Sequence, residues 1–130
     1  MKTITVLVIE DNTPLRNMVQ RSLLRLNFVV HVAANALEGE ALATSLQPDI
    51  ILLDMHLPDK NGWQVATELK ANPLTQKIPI IAVTAHAMAG DRERTIHAGC
   101  NDYVSKPIDF KLLEEKIRYL ANGTQMPGAD

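Results

Sequence analysis

ITVLVIED at residues 4–11 and DIILLDMHLPDKNG at residues 49–62 hold two apolar, β-branched runs that each stop on carboxylates, Glu10 and Asp11 in the first and Asp54 in the second. The same punctuation returns twice. IPIIAVT at 78–84 stops on Thr84, and DYVSKP at 102–107 carries Lys106 just past its run. If these runs are parallel strands of one sheet, their carboxyl ends lie along a single edge, where open α/β sheets bind ligands. Three carboxylates, a hydroxyl and an ammonium then meet, with no candidate nucleophilic Ser or Cys. That set points to a cation and a phosphoryl group, with an aspartate as acceptor.

Working outward, apolar runs alternate with amphipathic segments. Strands are expected near 4–9, 28–33, 49–54, 78–83 and 102–105, and helices near 14–26, 36–46, 63–71, 88–98 and 109–121. Five β/α units in this alternation predict an α/β fold: a doubly wound five-stranded parallel sheet in a flavodoxin-like three-layer sandwich. Strand order follows from where polar residues are missing. The second strand ends in Ala33-Ala34, so it is expected at an edge, with the first and third strands flanking the ligand at the switch point; the order is 2-1-3-4-5. In the first helix Thr13 is the expected cap, Pro14 suits the first helical position, and Leu15, Met18, Val19, Leu23 and Leu26 form the packing stripe. Asp109 should cap the last helix, with Phe110, Leu113, Ile117 and Leu120 buried; Leu112 and Tyr119 fall off that stripe as a candidate partner face. The fourth helix, AMAGDRERTIHAGC, has a thin apolar stripe, and Gly90 costs it about 1 kcal/mol against Ala, so it is expected to be mobile.

With 130 residues, 46% hydrophobic and 22% charged, the chain has the size and composition of one domain with one core. Residues 1–122 are expected to form it, with 123–130 as a flexible tail. A net charge of -2 with scattered Lys and Arg gives no electrostatic footprint for nucleic acid. No segment reaches membrane-spanning length, and the N-terminus lacks the features of a signal peptide, so a cytoplasmic, membrane-free protein is expected. The single cysteine, Cys100, excludes an intrachain disulfide and reads as buried packing.

Across the expected crevice Asp11 and Asp54 face each other with Glu10 beside them, and three carboxylates this close need a counter-charge. Hard oxygen donors with no Cys and no paired His favour Mg²⁺ or a similar ion such as Mn²⁺ over zinc. Asp54 is the expected nucleophile, forming an aspartyl phosphate once a cation lowers the charge repulsion. The Thr84 hydroxyl and the Ala85 N–H are placed to hold phosphoryl oxygens, and the Lys106 ammonium to pair with the phosphate. Pro107 turns the chain after Lys106 and aims it inward, through a cis bond or otherwise. Gly62 is read as relieving backbone strain in the turn after the third strand. Taken singly, each of these residues also has an ordinary structural explanation; their coincidence does not.

Glu10-Asp11, Asp54 with MHLPDKNG, Thr84-Ala85 and Tyr103-Val104-Ser105-Lys106-Pro107 resemble the receiver domain of two-component response regulators over residues 4–121. By that resemblance Asp54 accepts a phosphoryl group from a sensor histidine kinase or a histidine phosphotransfer protein. The resemblance also implies Mg²⁺ at Asp11, Asp54 and the backbone carbonyl of His56, with Glu10 acting through water. Thr84 and Lys106 would contact the phosphoryl group. Tyr103 would be the aromatic switch that follows Thr84 and alters the surface of the fourth helix, fifth strand and fifth helix for a downstream protein effector. The segment around TAHAMAGDRERTIHAGCNDYVSKPID resembles receivers of hybrid sensor kinases and of some stand-alone regulators. His56 and His86, two positions after Asp54 and Thr84, are expected to tune phosphate lifetime; His31 and His97 show no metal spacing. The implied state is a monomer or weak dimer.

Two other classes compete. A metal-dependent phosphatase working through an aspartyl phosphate would usually need an acid two residues past the nucleophile, where this chain has His56. A phosphorylation-independent interaction domain would not need Asp11, Asp54, Thr84 and Lys106 together. A flavin or nucleotide binder on the same fold would need the glycine-rich loops this chain lacks.

Overall fold

The computed structural model describes residues 3–85 and 89–122. Five strands, β1 (Thr5–Ile9), β2 (Val29–Ala33), β3 (Ile50–Asp54), β4 (Ile80–Thr84) and β5 (Asp102–Ser105), alternate with five helices. The helices are α1 (Thr13–Arg25), α2 (Ala36–Leu46), α3 (Gly62–Ala71), α4 (Ala89–His97) and α5 (Phe110–Ala121). All strand pairs are parallel and the sheet order is β2-β1-β3-β4-β5, as the missing polar residue at Ala33 indicates.

Every residue of β3 and β4 is buried, whereas the edge strands β2 and β5 are partly exposed. Alternation along each strand divides the core in two. Leu7, Ile9, Ile51, Leu53, Ile80 and Ala82 pack with α2, α3 and Cys100 on one face. Val6, Val8, Ile50, Leu52, Ile81 and Val83 pack with Val19 and Leu23 of α1 and Leu113 and Ile117 of α5 on the other. With α1 and α2 on opposite faces, the switch point lies between β1 and β3.

Side-chain oxygens start the helices. Asn12, Asn35 and Asn61 accept the N–H groups of Leu15, Glu38 and Gln64 at 2.9, 2.8 and 2.8 Å, and Asp109 accepts from Lys111 and Leu112 at 3.1 and 3.2 Å. Asn12 rather than Thr13 therefore caps α1, which starts one residue earlier than expected, and Pro14 fills the second helical position, where it has no N–H to satisfy. Met18 is 47% exposed, so the buried stripe of α1 narrows to Val19 and Leu23, flanked by half-buried Leu15 and Leu26. Of the expected face of α5, Leu113 and Ile117 are buried, while Phe110 and Leu120 are half-buried at its edge; off it, Leu112 is exposed and Tyr119 half-buried. Strand β4 starts at Ile80 because Pro79 has no N–H for the ladder, though its carbonyl accepts from Ile51 at 3.0 Å.

Helix α4 is tied to α3 through the chain's one tryptophan. The indole N–H of Trp63 donates to the buried hydroxyl of Thr95 at 3.2 Å, and the Arg94 guanidinium lies 3.8 Å from the Trp63 ring centroid. Cys100 is buried, which pushes its thiol up to about 12, as expected of a packing cysteine. No helix among the described residues is long and apolar enough to cross a membrane. His86 and the tail 123–130 lie outside the described residues.

Candidate functional site

The parallel register brings the sequence-predicted residues to one edge. Ile9 pairs with Leu53, Asp54 with Val83, and Thr84 with Ser105, so Glu10, Asp54, Thr84 and Lys106 sit at consecutive strand ends. One carboxylate oxygen each of Glu10, Asp11 and Asp54 lies within 4.8 Å of the others. Glu10 and Asp54 are only 4% and 2% exposed, whereas Asp11 faces solvent. Lys106 reaches into this cluster: its Nζ is 3.5 Å from Asp54 Oδ1 and 3.6 Å from Glu10 Oε1. The Lys106-Pro107 peptide is cis, and the Lys106 N–H donates to the Thr84 carbonyl at 2.8 Å.

Backbone groups set the carboxylates further. Asp54 Oδ1 accepts the His56 N–H at 3.1 Å, and Glu10 Oε2 accepts the Asn12 N–H at 3.1 Å. Burial, followed by a hydrogen bond to Asp54 and its negative charge, raises the Glu10 carboxyl to about 7; the Asn12 N–H and Lys106 pull the other way. One ammonium against three acids leaves the cluster short of positive charge. An all-oxygen donor set of this charge suits a hard divalent cation. Every buried side-chain nitrogen and oxygen among the described residues has a hydrogen-bond partner, so the buried acids Glu10 and Asp54 are already held in place by the protein.

Thr84 is buried one residue beyond the partner of Asp54, and Ala85 follows, exposed. His56 is exposed, with its ring edge-on to Trp63 at 6.1 Å. Tyr103 is half-buried on β5, its ring 5.8 Å from the Arg92 guanidinium and 5.5 Å from Lys116 Nζ. His31 is half-buried on β2 and His97 exposed on α4.

Gly62 has a different role from the one expected. Its backbone is not in the left-handed region; it is needed for close approach, because a Cβ there would lie 2.6 Å from Met55 Cα and 2.8 Å from the Asp54 carbonyl oxygen. Asp59 has a role that no motif in the sequence marks. Its carboxylate oxygens accept the Ala36 and Leu37 N–H groups at 2.9 and 3.0 Å, so the loop after Asp54 caps α2, and these bonds hold its carboxyl below the ordinary value. Lys60 beside it bridges Glu40 of α2 and Glu68 of α3 at 2.9 and 2.6 Å. A cap supplied from 23 positions away leaves no local signal in the sequence.

The description "Response regulator receiver domain" matches residues 6–118. The chain belongs to this family. It is 37% identical to the polar-differentiation response regulator DivK of Brucella anthropi over 114 residues, which cover 88% of this chain and 93% of DivK. It is 32% identical to the DNA-binding dual master transcriptional regulator RpaA of Synechocystis over 92% of its own length, spanning about half (49%) of RpaA. Among solved structures it resembles the receiver domain of sensor histidine kinase PA1611 from Pseudomonas aeruginosa, which holds a magnesium ion in its active site cleft. That match has 30% identity and a TM-score of 0.86, covering 93% of this chain and 99% of the other. A putative response regulator from Chloroflexus aurantiacus, 26% identical, superposes with a TM-score of 0.88 over 93% of this chain and 99% of its own. This receiver domain is thus a signalling phosphoacceptor rather than a classical enzyme, and its acidic cluster is of the aspartyl-phosphate type.

Proposed function

We propose that Asp54 is the phosphoacceptor of a two-component phosphorelay and that its donor is a phosphohistidine on a sensor histidine kinase or a histidine phosphotransfer protein. The observation that carries this reading is the buried Asp54 carboxylate, within 3.5 Å of Lys106 and grouped with Glu10 and Asp11. An Asp54 oxygen attacks phosphorus, an O–P bond forms as the N–P bond breaks, and the electron pair of that bond returns to the imidazole. Such transfer depends mainly on positioning and charge neutralisation. Asp11, Asp54 and the His56 carbonyl, with Glu10 through water, would hold Mg²⁺, or Mn²⁺ in its place; bound there, the cation supplies positive charge to the phosphoryl oxygens. Thr84, the Ala85 N–H and Lys106 hold those oxygens. Incubation with acetyl phosphate and MgCl2 is expected to add one phosphoryl group by intact mass. No adduct, with beryllofluoride also failing to bind, would overturn the reading.

The output is a change of surface over α4, β5 and α5 that a protein effector reads. Thr84 and Tyr103 carry it, as the phosphate shifts the balance between two arrangements of that region. The receiver domain extends to residue 122; it works in the cytoplasm as a monomer or weak dimer, without nucleic-acid contact of its own. Lys106→Ala is expected to keep or strengthen cation binding, since it removes the ammonium that lies 3.5 Å from Asp54 and 3.6 Å from Glu10, yet lose the phosphorylation-dependent gain in effector binding, since the same ammonium pairs with the phosphate. Normal effector binding by phosphorylated Lys106→Ala would remove that role.

The Glu10 carboxyl, raised to about 7, adds a pH dependence. Below that value Glu10 carries a proton that the cation must displace; above it the carboxylate is free. Apparent Mg²⁺ affinity should therefore rise about tenfold between pH 6 and pH 8. A flat profile in Mg²⁺ titrations would take Glu10 out of the cation's surroundings.

A further inference from the structure

Glu10 and Asp11 are consecutive residues, yet both send a carboxylate oxygen into the same cluster. In an extended strand successive side chains point to opposite faces, so a strand running straight through this pair would direct one of the two acids away. The chain must turn here. Arg16, one turn into α1 and half-buried, marks that turn: its Nη1 lies 3.1 Å from the Glu10 carbonyl oxygen and 3.4 Å from the Asp11 carbonyl oxygen. Its Nη2 lies 3.5 Å from Thr13 Oγ1. Two successive carbonyls within reach of one guanidinium nitrogen require the backbone to fold around that nitrogen.

We propose that Arg16 is a positioning residue for the cation site: its guanidinium fork fixes the β1–α1 turn so that Glu10 and Asp11 present their carboxylates together. This rests on the cation reading given above. Arg16 acts through the backbone of both acids and touches neither the cation nor the phosphoryl group. Rigid planar donors suit the task. A lysine ammonium carries the same charge but lacks the fork whose one nitrogen reaches both carbonyls while the other reaches the Thr13 hydroxyl. Asn12 completes the turn, since its N–H donates to Glu10 Oε2, its side chain caps α1, and its carbonyl accepts the Arg16 N–H at 2.8 Å. The capped helix thereby carries Arg16 at a fixed distance from the strand end.

The test compares wild type, Arg16→Lys and Arg16→Met, which keeps the stem but removes every donor. MgCl2 is titrated at pH 8 while amide NMR shifts are followed, and the metal-free proteins are compared by amide exchange and melting midpoint. Arg16→Met should bind Mg²⁺ roughly tenfold more weakly, the scale of losing a group that orients metal ligands, with Arg16→Lys in between. In metal-free Arg16→Met the Asp11 and Asn12 amides should exchange faster while β3 and β4 amides stay unchanged, which separates a local turn from general destabilisation. Acetyl phosphate labelling of Arg16→Met should recover at saturating Mg²⁺. If the wild type binds Mg²⁺ and Arg16→Met or Arg16→Lys matches it, the proposal is overturned alone. If the wild type does not bind Mg²⁺, the cation reading falls, and this proposal with it.

Discussion

Asp54→Asn is expected to abolish labelling by acetyl phosphate while leaving the fold intact. An amide has almost the shape of the carboxylate but not its nucleophilic oxygen, so the loss should be complete rather than graded. The fold should tolerate it for local reasons. Asp54 ends β3 at the rim of the sheet, and its Oδ1 accepts the His56 N–H, which an amide oxygen can also do. The substitution removes one of three clustered acids, so repulsion within the buried group falls and the melting midpoint should hold or rise. For the same reason Glu10 loses the charged neighbour that helps raise its carboxyl, and its pKa should move down from about 7. Intact-mass analysis with circular dichroism melting checks both halves. A stable phosphoryl adduct on Asp54→Asn would transfer the acceptor role elsewhere.

Gly62→Ala should produce the larger structural effect. The added methyl would meet backbone, Met55 Cα at 2.6 Å and the Asp54 carbonyl oxygen at 2.8 Å, and β3 is locked between β1 and β4. The turn itself must therefore open. The Gly62 N–H to Met55 carbonyl bond of 2.9 Å and the bridge between His56 and Asn61 would be displaced with it. Overpacking of this kind costs about 1–3 kcal/mol. Since Asp54 and the His56 N–H that positions it lie in the displaced segment, labelling should slow about tenfold or more as well. Gly39→Ala is the comparison. There the three nearest atoms, at 2.5, 2.7 and 3.0 Å, all belong to the buried Ile9 side chain, which can shift where backbone cannot, and Ala gains about 1 kcal/mol of helix propensity, so urea unfolding should show a smaller loss. Equal stability of Gly62→Ala and wild type would refute the close-approach account.

The sheet was legible in the sequence because β1, β3 and β4 are largely apolar runs and because polar site residues follow every strand but β2. The acidic cluster was legible for the same reason: a parallel sheet converts strand-end positions into neighbours, and Glu10, Asp11, Asp54 and Lys106 do come together. What escaped depends on contacts without a side-chain signature. Arg16 bonds to carbonyls and Asp59 to N–H groups, and every residue supplies those, so nothing in the composition marks the partner. Gly62 stands out in the sequence but its cause does not, because a glycine demanded by φ and one demanded by space look alike there. Thr13 and Asn12 are both capping residue types, and the three-residue reach of the Asn12 oxygen to the Leu15 N–H is what makes Asn12 the cap. Met18 fits the helical period yet stays exposed, outside the Val19 and Leu23 stripe that α1 buries.

Trp63 gives the seam between α3 and α4 an optical signature of its own. The indole is the only one in the chain, it is the second residue of α3, which follows the loop after Asp54, and its hydrogen bond and stacked cation both come from α4. Tryptophan emission from the unlabelled protein therefore reports a single junction, and any drift of α4 against α3 would be readable in a cuvette without attaching a dye.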